Sequence, residues 1–206
     1  MKVILLNGSP HKDGCTYTAL SEAAHRLEER GIETEILQLG TKPVRGCIAC
    51  QACSKTGHCV FDDDVVNQWI DKIKEADGVI AGSPVYYAGP NGAFCAVLDR
   101  VFYAAGSAFR FKPAAAVLSA RRGGASASFD WLNKYFTIAE MPVVASQYWN
   151  AVHGMTPEEV KQDKEGLQIM RTLAENMAWM LKAMEQRKRQ EPVPEREAWT
   201  PTNFVR

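Results

Sequence analysis

Four cysteines lie close together in the sequence with a spacing typical of metal-binding loops. They are Cys47, Cys50, Cys53 and Cys59, in the pattern C-x₂-C-x₂-C-x₅-C. Four thiolates so near one another can converge on one centre, either a [4Fe–4S] cluster or a tetrahedral zinc ion. The compact first three favour the cluster, because zinc sites usually separate two C-x₂-C pairs by a longer spacer. A metal-free set of thiols is the remaining alternative.

A second group with possible chemistry is the polar segment 7–17, which follows a short apolar run and precedes a helical pattern. Backbone N–H groups at the helix start and the hydroxyls of Ser9, Thr16 and Tyr17 suit a phosphate. The segment has neither a Walker spacing nor a G-x-G-x-x-G series. It therefore fits a terminal monophosphate better than a nucleoside triphosphate or a dinucleotide. An ordinary polar strand-to-helix turn is the alternative.

The third group, residues 82–90, places Tyr86 and Tyr87 between two prolines, Pro84 and Pro90. Rigid backbone beside aromatic surface suits a flat ring such as the isoalloxazine of a flavin. Backbone N–H groups here would bond the polar edge of the ring and tune its electronics. The alternative is that the tyrosines serve packing or an interface.

The fourth group, residues 119–126, combines two arginines with two glycines. Arginine near a flavin can stabilise the anionic reduced ring or receive the phosphate of a nicotinamide nucleotide. Solvated arginines are the alternative. The candidate binding residues of this segment are Ser119, Arg121, Arg122, Gly123 and Gly124.

Five apolar runs alternate with helical patterns and must position these groups. The predicted strands are residues 3–6, 34–39, 78–81, 114–119 and 142–145, and the predicted helices are residues 18–30, 65–73, 90–103, 129–138 and 157–186. This alternation predicts an α/β fold with a doubly wound five-stranded parallel sheet in the order 2-1-3-4-5. Ligands of such sheets bind beyond the carboxyl ends of the strands. The three loops 7–17, 82–89 and 119–124 are therefore expected to share one crevice.

Length and charge limit the possible partners. The 206 residues predict one domain over 1–186, with a cysteine-rich loop at 45–61 and a tail at 187–206. The 24 basic and 24 acidic residues balance, so we expect no nucleic acid and no membrane partner. The first apolar run is too short for a signal peptide, and the cysteines suit a reducing compartment. The expected location is the cytoplasm.

Several separated motifs resemble one known family. They are Asn-Gly-Ser-Pro at 7–10, Ala-Asp-Gly-Val-Ile-Ala-Gly-Ser-Pro-Val-Tyr at 76–86, Leu-Asp-Arg at 98–100 and Ser-Ala-Arg-Arg-Gly-Gly at 119–124. Together they resemble the NADPH-dependent FMN reductases and, within them, the iron-sulfur flavoproteins. The resemblance spans about residues 1–185. It implies a flavodoxin-like, three-layer α/β/α fold.

The resemblance also implies site residues. The FMN phosphate would lie at Ser9, Pro10, Cys15, Thr16 and Tyr17, and the ring would contact Pro84, Val85, Tyr86 and Tyr87. Relatives often have asparagine at position 15, where this chain has cysteine. The four clustered cysteines match the iron-sulfur flavoprotein motif and would bind a [4Fe–4S] cluster that passes single electrons to FMN.

We therefore expect an FMN-dependent oxidoreductase that takes electrons from NAD(P)H or a ferredoxin and reduces a small acceptor. The flavin carries the redox chemistry, so no side chain is predicted to be catalytic. A non-enzymatic electron carrier or redox sensor is one alternative, and a zinc-containing interaction module without flavin is another. We also expect a homodimer or homotetramer, from the resemblance and from the aromatic residues Trp149, Trp199 and Phe204.

Overall fold

The structure is a computed structural model that describes residues 1–202. Its strands are β1 Lys2–Asn7, β2 Glu33–Gln38, β3 Gly78–Tyr86, β4 Gly89–Pro90, β5 Ala114–Ala120 and β6 Ala151–His153. Its helices are α1 Cys15–Glu29, α2 Cys53–Thr56, α3 Val66–Glu75, α4 Gly92–Ala105, α5 Ala125–Ile138, α6 Pro157–Val160 and α7 Lys164–Lys188, with a 3₁₀ turn at Gly106–Phe109.

The parallel strands form one sheet in the order β2-β1-β3-β5-β6. Successive side chains of a strand point to opposite faces, so each central strand supplies both sides of the core. Ile4 and Leu6 of β1 pack with α3, α4 and α5 on one face. Val3 and Leu5 pack with α1 and α7 on the other. Burial on both faces explains why the central strands are almost continuously apolar.

The strand order differs from the predicted 2-1-3-4-5 in two ways. The chain adds the two-residue strand β4, which pairs antiparallel with the end of β3. The predicted fifth strand at 142–145 is also wrong, because that segment makes only one isolated bridge, between Val143 and Ala114. The chain then leaves the sheet and returns at β6, which pairs with β5 from Leu118 onward.

Other boundaries also differ from the sequence predictions. Strand β3 does not end at residue 81 but continues to Tyr86, because β5 and then β4 pair with its second half. The helix predicted over 157–186 is divided into α6 and α7. Asp163 lies at the break and caps α7 by accepting a hydrogen bond from the N–H of Gly166 at 2.9 Å. The short helix α2 lies inside the predicted cysteine-rich loop 45–61.

The tail after α7 has no regular secondary structure as far as residue 202. Arg196 Nε nevertheless donates to Glu140 Oε1 at 2.6 Å, which attaches this segment next to the end of α5. The aromatic side chain of Trp199 is exposed. Phe204 lies outside the described residues. Within residues 1–202, the helices are all too short or too polar to cross a membrane.

Candidate functional site

The carboxyl ends of β1, β3, β5 and β6 surround one crevice of about 240 Å³. All three loops that the sequence singled out contribute to it. Among the predicted residues, those that line the crevice are Ser9, Cys15, Thr16, Pro84, Val85, Tyr86, Ser119 and Arg121. The topology therefore brings together side chains that are more than one hundred positions apart in sequence.

The floor of the crevice begins at the end of β1. Asn7 is fully buried, and its Oδ1 accepts a hydrogen bond from the N–H of Ser9 at 3.1 Å. The Ser9 hydroxyl in turn accepts from the N–H of His11 at 3.1 Å. Gly8 donates to the carbonyl of Gly82 at 2.8 Å, so the loop lies directly against β3. This turn holds the start of α1 toward the opening.

The amino terminus of α1 is suited to bind an anion. Gly14 occupies the cap position and makes no side-chain capping bond, and the first turn has no acidic residue. The first N–H groups of a helix have no partner within the helix, and the helix dipole is positive at this end. A phosphate or a similar group at the opening would satisfy both.

Thr16 and Ser119 connect the first loop to the third. Their hydroxyl oxygens lie 2.8 Å apart, and both side chains are buried. Cys15 lies beside them, with Sγ 3.8 Å from the carbonyl oxygen of Gly154. Burial raises the pKa of the Cys15 thiol, so the group is neutral near pH 7. A neutral thiol adds no negative charge where an anion would bind.

The second loop is a tight hairpin between β3 and β4. Tyr87 and Ala88 both have positive φ, at 49° and 61°. As a result Tyr86 lines the crevice whereas the side chain of Tyr87 is fully exposed. Beyond the hairpin, Asn91 donates from Nδ2 to the carbonyl of Gly8 at 2.7 Å and caps α4 through the N–H of Ala93.

The third loop divides between two cavities. Arg121 lines the crevice, but Arg122, Gly123 and Gly124 line a neighbouring cavity of about 360 Å³ together with exposed aromatic residues such as Trp149. Gly124 has a φ of 92° and caps α5. The arginine pair is thus separated, with one guanidinium group for each cavity.

Two further predicted residues lie away from the crevice lining. Tyr17 lines a separate cavity on the far side of α1, and Pro10 lies in the loop outside the lining residues. In contrast, Gly154 and Met155 do line the crevice, although sequence reasoning missed them. They follow β6 directly. Placing the fifth strand at 142–145 moved its predicted carboxyl end away from the site.

The four clustered cysteines line a different, small cavity of about 20 Å³. Cys47 and Cys50 are exposed, and Cys53 and Cys59 are half-buried. No three His, Cys, Asp or Glu side chains within residues 1–202 lie close enough together to hold a metal ion. A cavity of this size holds about one water molecule, so the loop has to open further to admit a larger group.

The donor set of this cavity nevertheless suits an iron-sulfur centre. Four thiols face it, and Ala49 and Gln51 between them have positive φ, at 53° and 59°. Alternation of right- and left-handed backbone turns N–H groups toward one concave side, as at many iron-sulfur sites. Four soft sulfur ligands, and the Ala49 N–H that donates to Cys47 Sγ at 3.4 Å, fit an anionic thiolate cluster.

Arg100 of α4 closes the inner wall of this cavity. Its Nε donates to Cys59 Sγ at 3.2 Å, and its Nη atoms donate to the carbonyls of Arg45 and Phe61, each at 3.3 Å. It also forms an ion pair with Asp64. Burial acts to lower the pKa of Arg100, but the bonds to Asp64 and Cys59 outweigh it, and the pKa is raised. The guanidinium group is therefore permanently charged.

Helix α4 joins the crevice to the cysteine cavity. Its cap Asn91 is bonded to Gly8 at the crevice floor. Arg100, Tyr103 and Ala104, further along the same helix, line the cysteine cavity. Arg100 lies nine positions after Asn91 along the helix, a rise of about 14 Å. One rigid element thus fixes both cavities relative to each other.

A parallel sheet covered by helices on both faces, with an anion-ready helix start at the carboxyl ends of its strands, is the architecture of flavodoxin-like proteins. Solved structures agree. A flavodoxin from the domain Archaea matches with a TM-score of 0.61 at 16% identity, over 88% of this chain and 99% of that one. A flavone reductase matches with a TM-score of 0.71 at 16% identity, over 90% of this chain and 64% of that one.

The chain belongs to the NADPH-dependent FMN reductase family, whose model matches residues 1–156. An iron-sulfur flavoprotein of Methanocaldococcus jannaschii is 36% identical over 190 residues, which cover 88% of this chain and 98% of that protein. An iron-sulfur flavoprotein of Archaeoglobus fulgidus is 30% identical over 194 residues, which cover 89% and 98%. The family predicted from the sequence motifs is confirmed.

Proposed function

We propose that this chain binds FMN in the crevice and works as an FMN-dependent oxidoreductase. The observation that carries the proposal is the convergence of three strand-end loops on one opening at the uncapped start of α1. Membership of the FMN reductase family supports it, as does the name FMN reductase (NADPH) of a Pseudomonas putida relative, 28% identical over 99 residues. When bound, FMN would supply the one- and two-electron redox chemistry.

The crevice residues would bind and orient the cofactor. The N–H groups at the start of α1 and the hydroxyls of Ser9 and Thr16 would hold the phosphate. Pro84, Val85 and Tyr86 would lie along the ring, and Arg121 would offset negative charge that develops on it. Pro10, Tyr17, Tyr87, Arg122, Gly123 and Gly124 stay predicted binding residues, but they lie outside the crevice lining, and Tyr17 lines a separate cavity.

We further propose that Cys47, Cys50, Cys53 and Cys59 hold a [4Fe–4S] cluster. All four line one cavity, and two close relatives are named iron-sulfur flavoproteins. The electron donor would be NAD(P)H or a ferredoxin, and the acceptor a small molecule or a ferredoxin. No acid or base side chain is assigned to the reaction, although His11 lies within the crevice lining.

Assembly and location are also proposals. Four of the six cysteines have a metal-binding spacing rather than a disulfide framework, which supports a reducing compartment such as the cytoplasm. Tyr148 and Trp149 are exposed beside the cavity that neighbours the crevice. Exposed aromatic side chains are enriched at interfaces, which supports a homodimer or homotetramer. Sedimentation velocity of the full chain tests this, and a monomer at micromolar concentration would contradict it.

The first experiment is an absorption spectrum of protein purified without oxygen, with iron, zinc and acid-labile sulfide measured on the same sample. We expect flavin bands together with about four iron and four sulfide per chain. Cys50→Ala should lose iron and keep flavin, whereas the control Cys95→Ala, which alters a helix thiol away from the cavity, should keep both.

The outcomes separate the alternatives. Flavin without iron would leave an FMN reductase whose cysteine loop is metal-free. Zinc without flavin would favour an interaction module. Flavin and iron with poor steady-state turnover of NADH and NADPH would favour a one-electron carrier. Failure to bind added FMN would refute the central proposal.

A further inference from the structure

Among residues 1–202, Arg100 is the only charged residue that is buried with backbone and side chain together, and it faces the cysteine cavity. Its side chain is 1% exposed, and that of its partner Asp64 is 7% exposed. Taking such a pair out of water costs free energy that its mutual attraction only partly returns. A surface-exposed pair would hold α4 to the loop at less cost, so the buried arrangement calls for a further explanation.

We infer that Arg100 raises the reduction potential of the centre held by the four cysteines, by placing a fixed positive charge and an N–H donor on the Cys59 sulfur. This inference rests on the proposed function, because it concerns the proposed cluster. In the step concerned the centre would gain one electron and its donor, a ferredoxin, would lose one. Arg100 keeps its proton and its positive charge throughout, since the guanidinium group is not deprotonated in proteins.

The sign follows from electrostatics. Reduction adds negative charge to the centre, and a nearby cation and hydrogen bonds to the sulfur stabilise the more negative state. Asp64 acts in the opposite direction, because its carboxylate repels added negative charge and partly offsets Arg100. Arg45 lies over the same Phe61 ring as Arg100, but it is exposed and paired with exposed Asp63, so water screens both charges. Arg100 and Asp64 should therefore shift the potential in opposite directions.

This opposition separates electrostatic tuning from a merely structural role. If the pair only held the loop in place, removing either partner would damage the same contact and shift the potential in the same direction. If the pair tunes the centre, Arg100→Met lowers the potential and Asp64→Asn raises it. Arg100→Lys keeps the charge but not the fixed fork of donors, so its potential should fall between those of Arg100→Met and the wild type.

The experiment is a redox titration of the full chain, purified without oxygen and followed by electron paramagnetic resonance of the reduced centre. We expect Arg100→Met to decrease the equilibrium constant for reduction at least tenfold, which is 59 mV for a one-electron couple. Asp64→Asn should increase it severalfold. Arg171→Met, which removes an arginine paired with Glu22 on the opposite face of the sheet, should leave it unchanged.

Each outcome decides the inference. If Arg100→Met fails to fold, Asp64→Asn and Arg100→Lys still test the sign. A potential within twofold of the wild type in all three variants would overturn the inference, as would shifts of the same sign in the Arg100 and Asp64 variants. A wild-type protein without iron and sulfide would refute the cluster itself. An iron-loaded protein with an unresponsive potential would refute only the role of Arg100.

Discussion

Gly124 offers a quantitative test of how the loops around the crevice are packed. It caps α5 with a φ of 92°, and a Cβ built there would lie 2.6 Å from the Cα of Ala88 and 3.0 Å from Cγ1 of Val85. Both neighbours belong to the second loop, and Val85 lines the crevice. A Gly124→Ala substitution therefore strains its own backbone and pushes the second loop away.

The expected cost has two parts. A residue with a Cβ in the left-handed region costs about 1–2 kcal/mol. An added methyl in a close-packed site costs typically about 1–3 kcal/mol more. Together they predict a loss of about 2–5 kcal/mol in the free energy of unfolding. For a chain of this size that is a fall in melting temperature of about 4–20 °C.

The neighbouring glycine provides the matched control. A Cβ on Gly123 would meet nothing within 4 Å, and its φ is not in the left-handed region. Urea unfolding of the FMN-free proteins, monitored by circular dichroism, gives the unfolding free energies of both variants. Titration with FMN, monitored by flavin fluorescence, gives their affinities for FMN. Equal stabilities of Gly124→Ala and Gly123→Ala, within about 0.5 kcal/mol, would refute the packing argument.

Three further predictions concern single groups. Thr16→Val should weaken FMN binding at least tenfold, which calorimetry of FMN binding measures. It should also cost about 1–3 kcal/mol in the free energy of unfolding, measured in urea, because the buried hydroxyl of Ser119 loses its partner. Asn91→Ala should cost about 2–3 kcal/mol in urea unfolding, because both a helix cap and the buried bond to Gly8 are lost. Burial raises the pKa of Cys95 from 9.0 to about 11, so this thiol should resist alkylation by iodoacetamide at pH 8 in the folded protein and react after unfolding.

The raised pKa of Cys95 also predicts how the free energy of unfolding changes with pH. The folded protein binds the thiol proton more tightly than the unfolded chain does. The resulting stabilisation is present below pH 9 and is lost as the pH rises toward 11. In Cys95→Ala this loss should be absent, so its unfolding free energy should fall less between pH 8 and pH 10 than that of the wild type. If the unfolding free energies of the wild type and of Cys95→Ala fell equally between pH 8 and pH 10, the raised pKa of Cys95 would be contradicted.

The central part of the fold could be predicted from the sequence because local and tertiary signals agree there. The continuous apolar run of β1 ends in Asn7 and Gly8, and a helical pattern follows, as a strand-turn-helix unit requires. The error at the fifth strand has a physical origin. Residues 142–145 have good strand propensity, but only Val143 pairs, whereas the three-residue β6 is too short to give a periodic signal.

The site was predictable where it lies at strand ends and unpredictable where it depends on packing between distant elements. The three loops could be found because all of them follow apolar runs. That Tyr17 and Tyr87 face away from the crevice depends on helix phase and on a hairpin with positive φ. The sequence did carry one overlooked signal for Arg100. Its neighbours on the helix face, Val97 and Ala104, are apolar, so a charge in that stripe indicates a buried partner.

Helix α4 fixes the distance and the angle between the crevice and the cysteine cavity. Insertions or deletions within this helix would therefore move one cavity relative to the other. One residue inserted between Asn91 and Arg100 would turn everything after it by about 100° around the helix axis. Arg100 would then point away from Cys59 while Asn91 still held Gly8. The exposed segment 41–43, which precedes the cysteine motif, faces no such restriction and can accept extra residues. Engineering that joins this crevice to other metal loops should therefore vary this segment and keep the helix at its present length.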